Sequence, residues 1–221
     1  MPKFAANLSF IFQEVGFLDR FAAAAACGFK AVEYLSPFDH PPEVIAEQLN
    51  RHGLEQALFN MPPGDWAAGE RGIGALPGRE QEFRDGVQTA LVYARATRCR
   101  ILHAMAGVSP AGQDRAQAER TYLANLQHAA DRLAAEGLTL VIEPINTRDI
   151  PGYFLNTTTQ AMSPVTNLSL GCSGSGRAEG ALSNSTSSSI SRRSRRRSAT
   201  RRPRKPPPPV MTTRTAQPPM P

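Results

Sequence analysis

Apolar and polar positions over the first 143 residues alternate between short apolar runs and longer stretches of helical period. Residues 4–10 read as a first strand. Phe17, Phe21 and Ala25 then recur at four-residue spacing, the period of one helix face, and the pattern stops at Gly28. Ala31-Val32-Glu33-Tyr34 reads as a second strand. Pro41-Pro42 suits a helix start, Val44, Ile45 and Leu49 mark its apolar face, and Gly53 supplies the stop. Ala57-Leu58-Phe59-Asn60 is a third strand, followed by a Gly/Pro-rich loop over 61–78. A helix over about 79–96 leads to a fourth strand at 100–103. Residues 113–136 form the strongest helical pattern, with Tyr122, Leu126, Ala129 and Leu133 on one face and Gly137 closing it. A fifth strand covers 138–143.

Strands alternating with helices predict a parallel sheet with crossover helices, either doubly wound or a (β/α) barrel. The first strand leads into Ser9-Phe10-Ile11-Phe12, which lacks glycine, so a dinucleotide-binding doubly wound sheet loses its main support. Gly72-Ile73-Gly74 sits in a long loop rather than at a strand-to-helix turn, and is a weak phosphate-site candidate.

Charge divides the chain of 221 residues in two. Residues 1–162 carry 14 Lys/Arg and 18 Asp/Glu, a net −4, and hold all 15 aromatic residues. Residues 163–221 carry 11 Lys/Arg and one acid, Glu179, a net +10. No apolar run is long enough to span a membrane, and the N-terminus shows no signal-peptide h-region. Cys27, Cys99 and Cys172 are odd in number and far apart, against a disulfide framework or a zinc motif. A cytoplasmic location is the expectation.

Each strand pattern ends in a polar residue: Asn7 and Ser9, then Glu33, Asn60, His103 and Glu143. In a parallel barrel these ends converge on one face, which carries the chemistry. Glu143 follows Thr139-Leu140-Val141-Ile142, a run expected to be buried on both sides, where a carboxylate is costly unless it is paired or binds a cation. A salt bridge with Arg148 is the competing reading. His103 suits either substrate contact or a satisfied core position, and Glu33 suits a rim ion pair as well as a site. His40, His52 and His128 read as solvated. Phe59 and Trp66 suit either a pocket wall or plain packing.

Several segments occur in an order that resembles a known family. They are Ala5-Ala6-Asn7-Leu8-Ser9, Gly28-Phe29-Lys30-Ala31-Val32-Glu33, His103-Ala104-Met105-Ala106-Gly107, Val141-Ile142-Glu143-Pro144-Ile145-Asn146 and Pro151-Gly152-Tyr153-Phe154-Leu155. From about Lys3 to Ala161 the chain resembles the hydroxypyruvate isomerase family and its relatives, the 2-oxo-tetronate isomerases, among the xylose-isomerase-like barrels. The resemblance implies an incomplete (β/α) TIM-type barrel of about five strands. It also implies a metal-assisted aldose–ketose type isomerisation of hydroxypyruvate to tartronate semialdehyde through an enediolate. On the family pattern Glu143 transfers protons and binds a divalent metal (Mg or Mn). Asn7, Glu33, Asn60 and His103 are then the candidate substrate-binding residues, for a small hydroxy- or oxo-acid. The departure is in extent. Complete barrels of this kind take about 250 residues, and no positions here match the family's later ligands or second catalytic glutamate. The chain as written is therefore expected to be inactive or nearly so, without a stably bound metal.

Residues 163–221 contain 12 Ser and 9 Pro and the run Arg192-Arg193-Ser194-Arg195-Arg196-Arg197, a composition expected to stay disordered. Three origins compete: a basic arm, a fusion remnant, or coding DNA read out of frame. The last leads, because it explains both the loss of family pattern and the missing strands. The rival function is a non-enzymatic binding protein whose basic tail engages nucleic acid.

Overall fold

Val32 and Tyr34 are buried while Ala31 and Glu33, between them, are half-buried. That two-residue period is the signature of a strand with one face on a core. The computed structural model describes residues 3–167, with side chains as far as Met162. The strands are β1 (Ala5–Asn7), β2 (Ala31–Tyr34), β3 (Glu55–Asn60), β4 (Ile101–His103) and β5 (Thr139–Val141). The helices are α1 (Asp19–Ala26), α2 (Pro42–His52), α3 (Glu80–Thr97), α4 (Arg115–Ala134) and α5 (Thr158–Asn167). Most of the expected basic tail, residues 168–221, lies outside the described residues.

All strand pairs are parallel and the sheet order is β1-β2-β3-β4-β5. Neighbours in sequence are neighbours in space, with no reversal of direction across the sheet. This is the singly wound order of a (β/α) barrel, and it decides against the doubly wound alternative. Among the described residues β1 and β5 form the two edges.

The helix-facing side carries the core. Tyr34 and Phe59 stack at 6.5 Å between ring centroids, Phe38 meets Phe59 at 6.2 Å, and Tyr93 of α3 closes on Phe38 at 5.0 Å. Phe21 of α1 joins Tyr34 from the other side. The helix starts follow local chemistry. Pro42 opens α2 and Gly53 ends it at φ 61. Asp114 caps α4 by accepting from the Ala116 amide at 2.9 Å.

Three expectations need correction. β1 stops at Asn7, because the amides of Phe10 and Ile11 turn back to the Asn7 carbonyl, leaving Phe4 and Phe10 largely exposed. β5 stops at Val141, so Glu143 sits in the following loop. The run before Glu143 is not buried on both sides either, since Thr139 is exposed and Leu140, Val141 and Ile142 are half-buried. Helix α5 has no counterpart in the sequence pattern.

No helix among the described residues is long and apolar enough to cross a membrane.

Candidate active site

Parallel strands in sequential order bring their C-terminal ends to one edge of the sheet, and every singled-out polar residue lies there. The register places Asn7 beside Glu33, and Asn60 beside His103. Strand alternation puts these four side chains on the inner face, opposite Ala6, Val32, Phe59 and Leu102, which face the helices.

Four of the candidates form two hydrogen-bonded pairs, and Glu143 stands in the loop after β5. Asn7 Nδ2 donates to Glu33 Oε1 at 3.0 Å, while Asn7 Oδ1 accepts from the Ser9 amide at 3.0 Å. Ser9 Oγ in turn accepts from the Leu35 amide at 2.9 Å, tying the loops after β1 and β2 together. Glu33 therefore has an amide partner among these contacts, in place of the rim ion pair considered for it. His103 Nδ1 and Asn60 Oδ1 are 2.9 Å apart, and Asn60 Nδ2 donates to Met105 Sδ at 3.3 Å. His103 is 5% exposed, and its Nε2 is buried without a hydrogen-bond partner among the described residues. Burial holds its pKa down at about 4, so the ring is neutral near pH 7. Leaving such an acceptor unmet costs about 1–3 kcal/mol. A satisfied core histidine is not what the structure contains.

Glu143 follows β5 in a half-buried loop. Its neighbour is Tyr153, whose phenol is pushed up chiefly by burial and additionally by the Glu143 charge. The Tyr153 hydroxyl accepts from the Ala106 amide at 3.0 Å, which fixes the loop after β4 against the segment after β5.

A cleft of about 650 Å³ opens above the ends of β1, β2 and β3. Ser9, Asp39, His40, Asn60 and Trp66 contribute to its lining. Trp66 is thus a pocket wall, with Arg71 stacked over its ring at 3.8 Å, whereas Phe59 is core. His40 is not a solvated bystander: it stacks flat on Phe17 at 5.6 Å, and its carbonyl accepts from Tyr93 Oη at 2.8 Å. Asp39 and Tyr153 did not stand out in sequence. Asp39 lies in the loop between β2 and α2, which was the available signal; Tyr153 lay in a segment of the family resemblance, but its role left no local mark because its partner is distant in the chain.

The loop over 61–78 folds across the strand ends through close backbone approach. Gly72, at φ 106, lies against Met105, and any Cβ there would collide with it. The Ala75 amide donates to the Ala106 carbonyl at 2.7 Å, and Asn125 of α4 donates to the Gly74 carbonyl at 2.9 Å. Gly72-Ile73-Gly74 is therefore a packing device, which removes it as a phosphate-site candidate.

A divalent metal needs several hard oxygen donors around one point. Among the described residues no group of three or more His, Cys, Asp and Glu side chains is placed to hold one. Beyond residue 167 the sequence offers only Cys172 and Glu179 of these types. The donor set of the described residues does not fit the metal that the family resemblance implies.

Comparison with known proteins agrees with the geometry. Residues 21–169 match the family described as Xylose isomerase-like TIM barrel. A 2-oxo-tetronate isomerase of Cupriavidus necator is 58% identical over 156 residues, 71% of this chain and 60% of that protein. The hydroxypyruvate isomerase of Escherichia coli is 47% identical over 172 residues, 78% of this chain and 66% of that one. A crystal structure named AP endonuclease, family 2, from Brucella melitensis superposes with a TM-score of 0.74 at 54% identity, covering 76% of this chain and 65% of that one. The chain thus spans less than two thirds of the length of these relatives. Sequential parallel strands, polar residues gathered at their C-terminal ends and these matches lead to one conclusion: the chain belongs to the xylose isomerase-like TIM barrel family.

Proposed function

We propose that residues 1–162 are the strand-1-to-5 portion of an isomerase acting on a small hydroxy-oxo acid, hydroxypyruvate or a 2-oxo-tetronate. The observation that carries this reading is the row Asn7–Glu33, Asn60–His103 and Glu143 along one sheet edge, beside a cleft of about 650 Å³. The relatives named as isomerases of those two acids support the same substrate class. Moving a carbonyl to the adjacent carbon requires taking one C–H proton and returning it to the neighbouring carbon. Glu143 is the carboxylate assigned to that transfer. Asn7, Glu33, Asn60 and His103 bind the oxygens of the substrate. The enediolate between the two steps needs an electrophile that the donor set of this chain does not assemble, so the chain as written is inactive. Cys27 and Cys99 are both free thiols, in keeping with a reducing, cytoplasmic setting.

The Arg/Ser/Pro-rich residues from about 163 onward are out-of-frame translation in this reading. The family match ends at residue 169, and the sequence past residue 162 holds a single acid. Resequencing from the codons for Leu155 tests the frame. A second frame encoding apolar strands that end in Asp, His or Glu is the expected result; a confirmed frame with no such strands downstream would refute it. Isomerase activity is then assayed with hydroxypyruvate on both chains, with and without Mg²⁺ or Mn²⁺. The chain as written should show no turnover. The frame-restored chain should turn over and lose activity on Glu143→Gln. Turnover by the first chain overturns the claim of inactivity, and a folded but inert restored chain overturns the isomerase reading.

A further inference from the structure

The inner face carries one buried polar atom whose vacancy specifies its partner. Among the described residues His103 Nε2 has no hydrogen-bond partner, while the other ring nitrogen lies 2.9 Å from Asn60 Oδ1. The Asn60 amide cannot be reversed without loss, because its Nδ2 donates to Met105 Sδ at 3.3 Å and an amide oxygen in that place would face a sulfur with no hydrogen to offer. Asn60 Oδ1 can only accept, so His103 Nδ1 must carry the proton. Nε2 is then a bare lone pair. Its complement is a donor: a hydroxyl satisfies it, and a carboxylate oxygen repels it.

We propose that Asn60 is a positioning residue that holds His103 as the Nδ1–H tautomer, so that Nε2 accepts a hydrogen bond from a hydroxyl of the bound hydroxy-oxo acid. This inference rests on the substrate class given above and extends it. The hydroxyl end of the ligand lies at β4, and its carboxylate lies elsewhere on the site. Burial keeps the ring neutral through the physiological range, which preserves the acceptor. Asn60 also lines the cleft, so the side chain that faces His103 Nδ1 borders that opening as well.

The test is a proton–nitrogen correlation spectrum of the full 221-residue chain with ¹⁵N-labelled histidine, the His103 signals being those lost in His103→Gln. A protonated Nδ1 and a bare Nε2 are expected at neutral pH. Hydroxypyruvate should move the Nε2 resonance toward the hydrogen-bonded range, while pyruvate, which lacks only the hydroxyl, should leave it in place. Asn60→Asp should keep the tautomer and raise the midpoint of His103 titration by about two pH units, as a facing carboxylate does. Asn60→Leu, of similar volume, should release the ring to a mixture of tautomers. A proton on Nε2 in the unsubstituted chain overturns the inference and leaves the isomerase reading untouched. Calorimetric binding of hydroxypyruvate without movement of Nε2, or an equal response to pyruvate, overturns it as well. Binding of neither acid removes the ligand half of the inference together with the substrate class.

Discussion

The two faces of the sheet obey different rules. On the helix-facing side Ala6, Val32, Phe59 and Leu102 are completely or almost completely buried, and aromatic rings from β2, β3 and α3 interlock with Phe38 of the loop before α2. On the inner side Ala5, Ala31, Leu58 and Val141 are half-buried, and Ile101 is 36% exposed. That side is buried instead where it is polar, at Asn60 and His103. Apolar burial on one face supplies stability, while the other spends some of it on placing hydrogen-bonding groups. Position on the sheet, more than residue type, sets what a side chain contributes.

The sharpest way to break this contrast is to truncate both faces. Phe59→Ala should destabilise the chain by about 3–5 kcal/mol in urea unfolding, since a fully buried ring leaves a cavity. Equal costs for Phe59→Ala and Ile101→Ala would erase the distinction between the faces.

The inner face should also impose a pH dependence. His103 has a folded pKa of about 4 against an ordinary 6.5, so the unfolded chain binds the proton first as pH falls. Its contribution is therefore full above pH 6.5 and is lost progressively down to about pH 4, a fall of roughly 3 kcal/mol. Denaturation midpoints measured across that window should flatten in His103→Gln. An unchanged slope would show that His103 is not a buried neutral imidazole.

Tyr153→Phe leaves the Ala106 amide without its acceptor and should cost about 1–3 kcal/mol, read from the same unfolding curves. Hydrogen exchange should show the Ala106 amide losing protection first, because it donates to that phenol. The smallest effect belongs to Ile101→Thr, which keeps a branched strand residue at a partly exposed position. It should cost about 1 kcal/mol or less.

Much of this was legible in the chain. The helix-facing pattern gave α2 within a residue at each end, because Pro42 and Gly53 act through local backbone geometry alone. The ends of β3 and β4 were legible at Asn60 and His103, whereas β1 and β5 stop two residues before Ser9 and Glu143. Helix α3, expected over about 79–96 and found at Glu80–Thr97, was legible too, although it ends at Arg98 with φ 58, a left-handed conformation normally given to glycine. The depth of Glu143 was misjudged because a β-branched apolar run cannot say how much of it neighbouring elements cover.

The sequence by itself determined the order of the five strands and the helices between them, the break in charge near residue 162, and which polar residues gather at or just past the strand ends. These depend on periodicity, turn residues and composition, which act over a few positions. The tertiary structure alone decided that Asn60 meets His103, 43 residues away, and that Tyr153 reaches Ala106, 47 residues away. It also decided that Gly72 serves packing and that, among the described residues, no three His, Cys, Asp or Glu side chains gather at one point. Such partnerships are set by strand register and loop crossing, and neither leaves a mark on the residues that lie between.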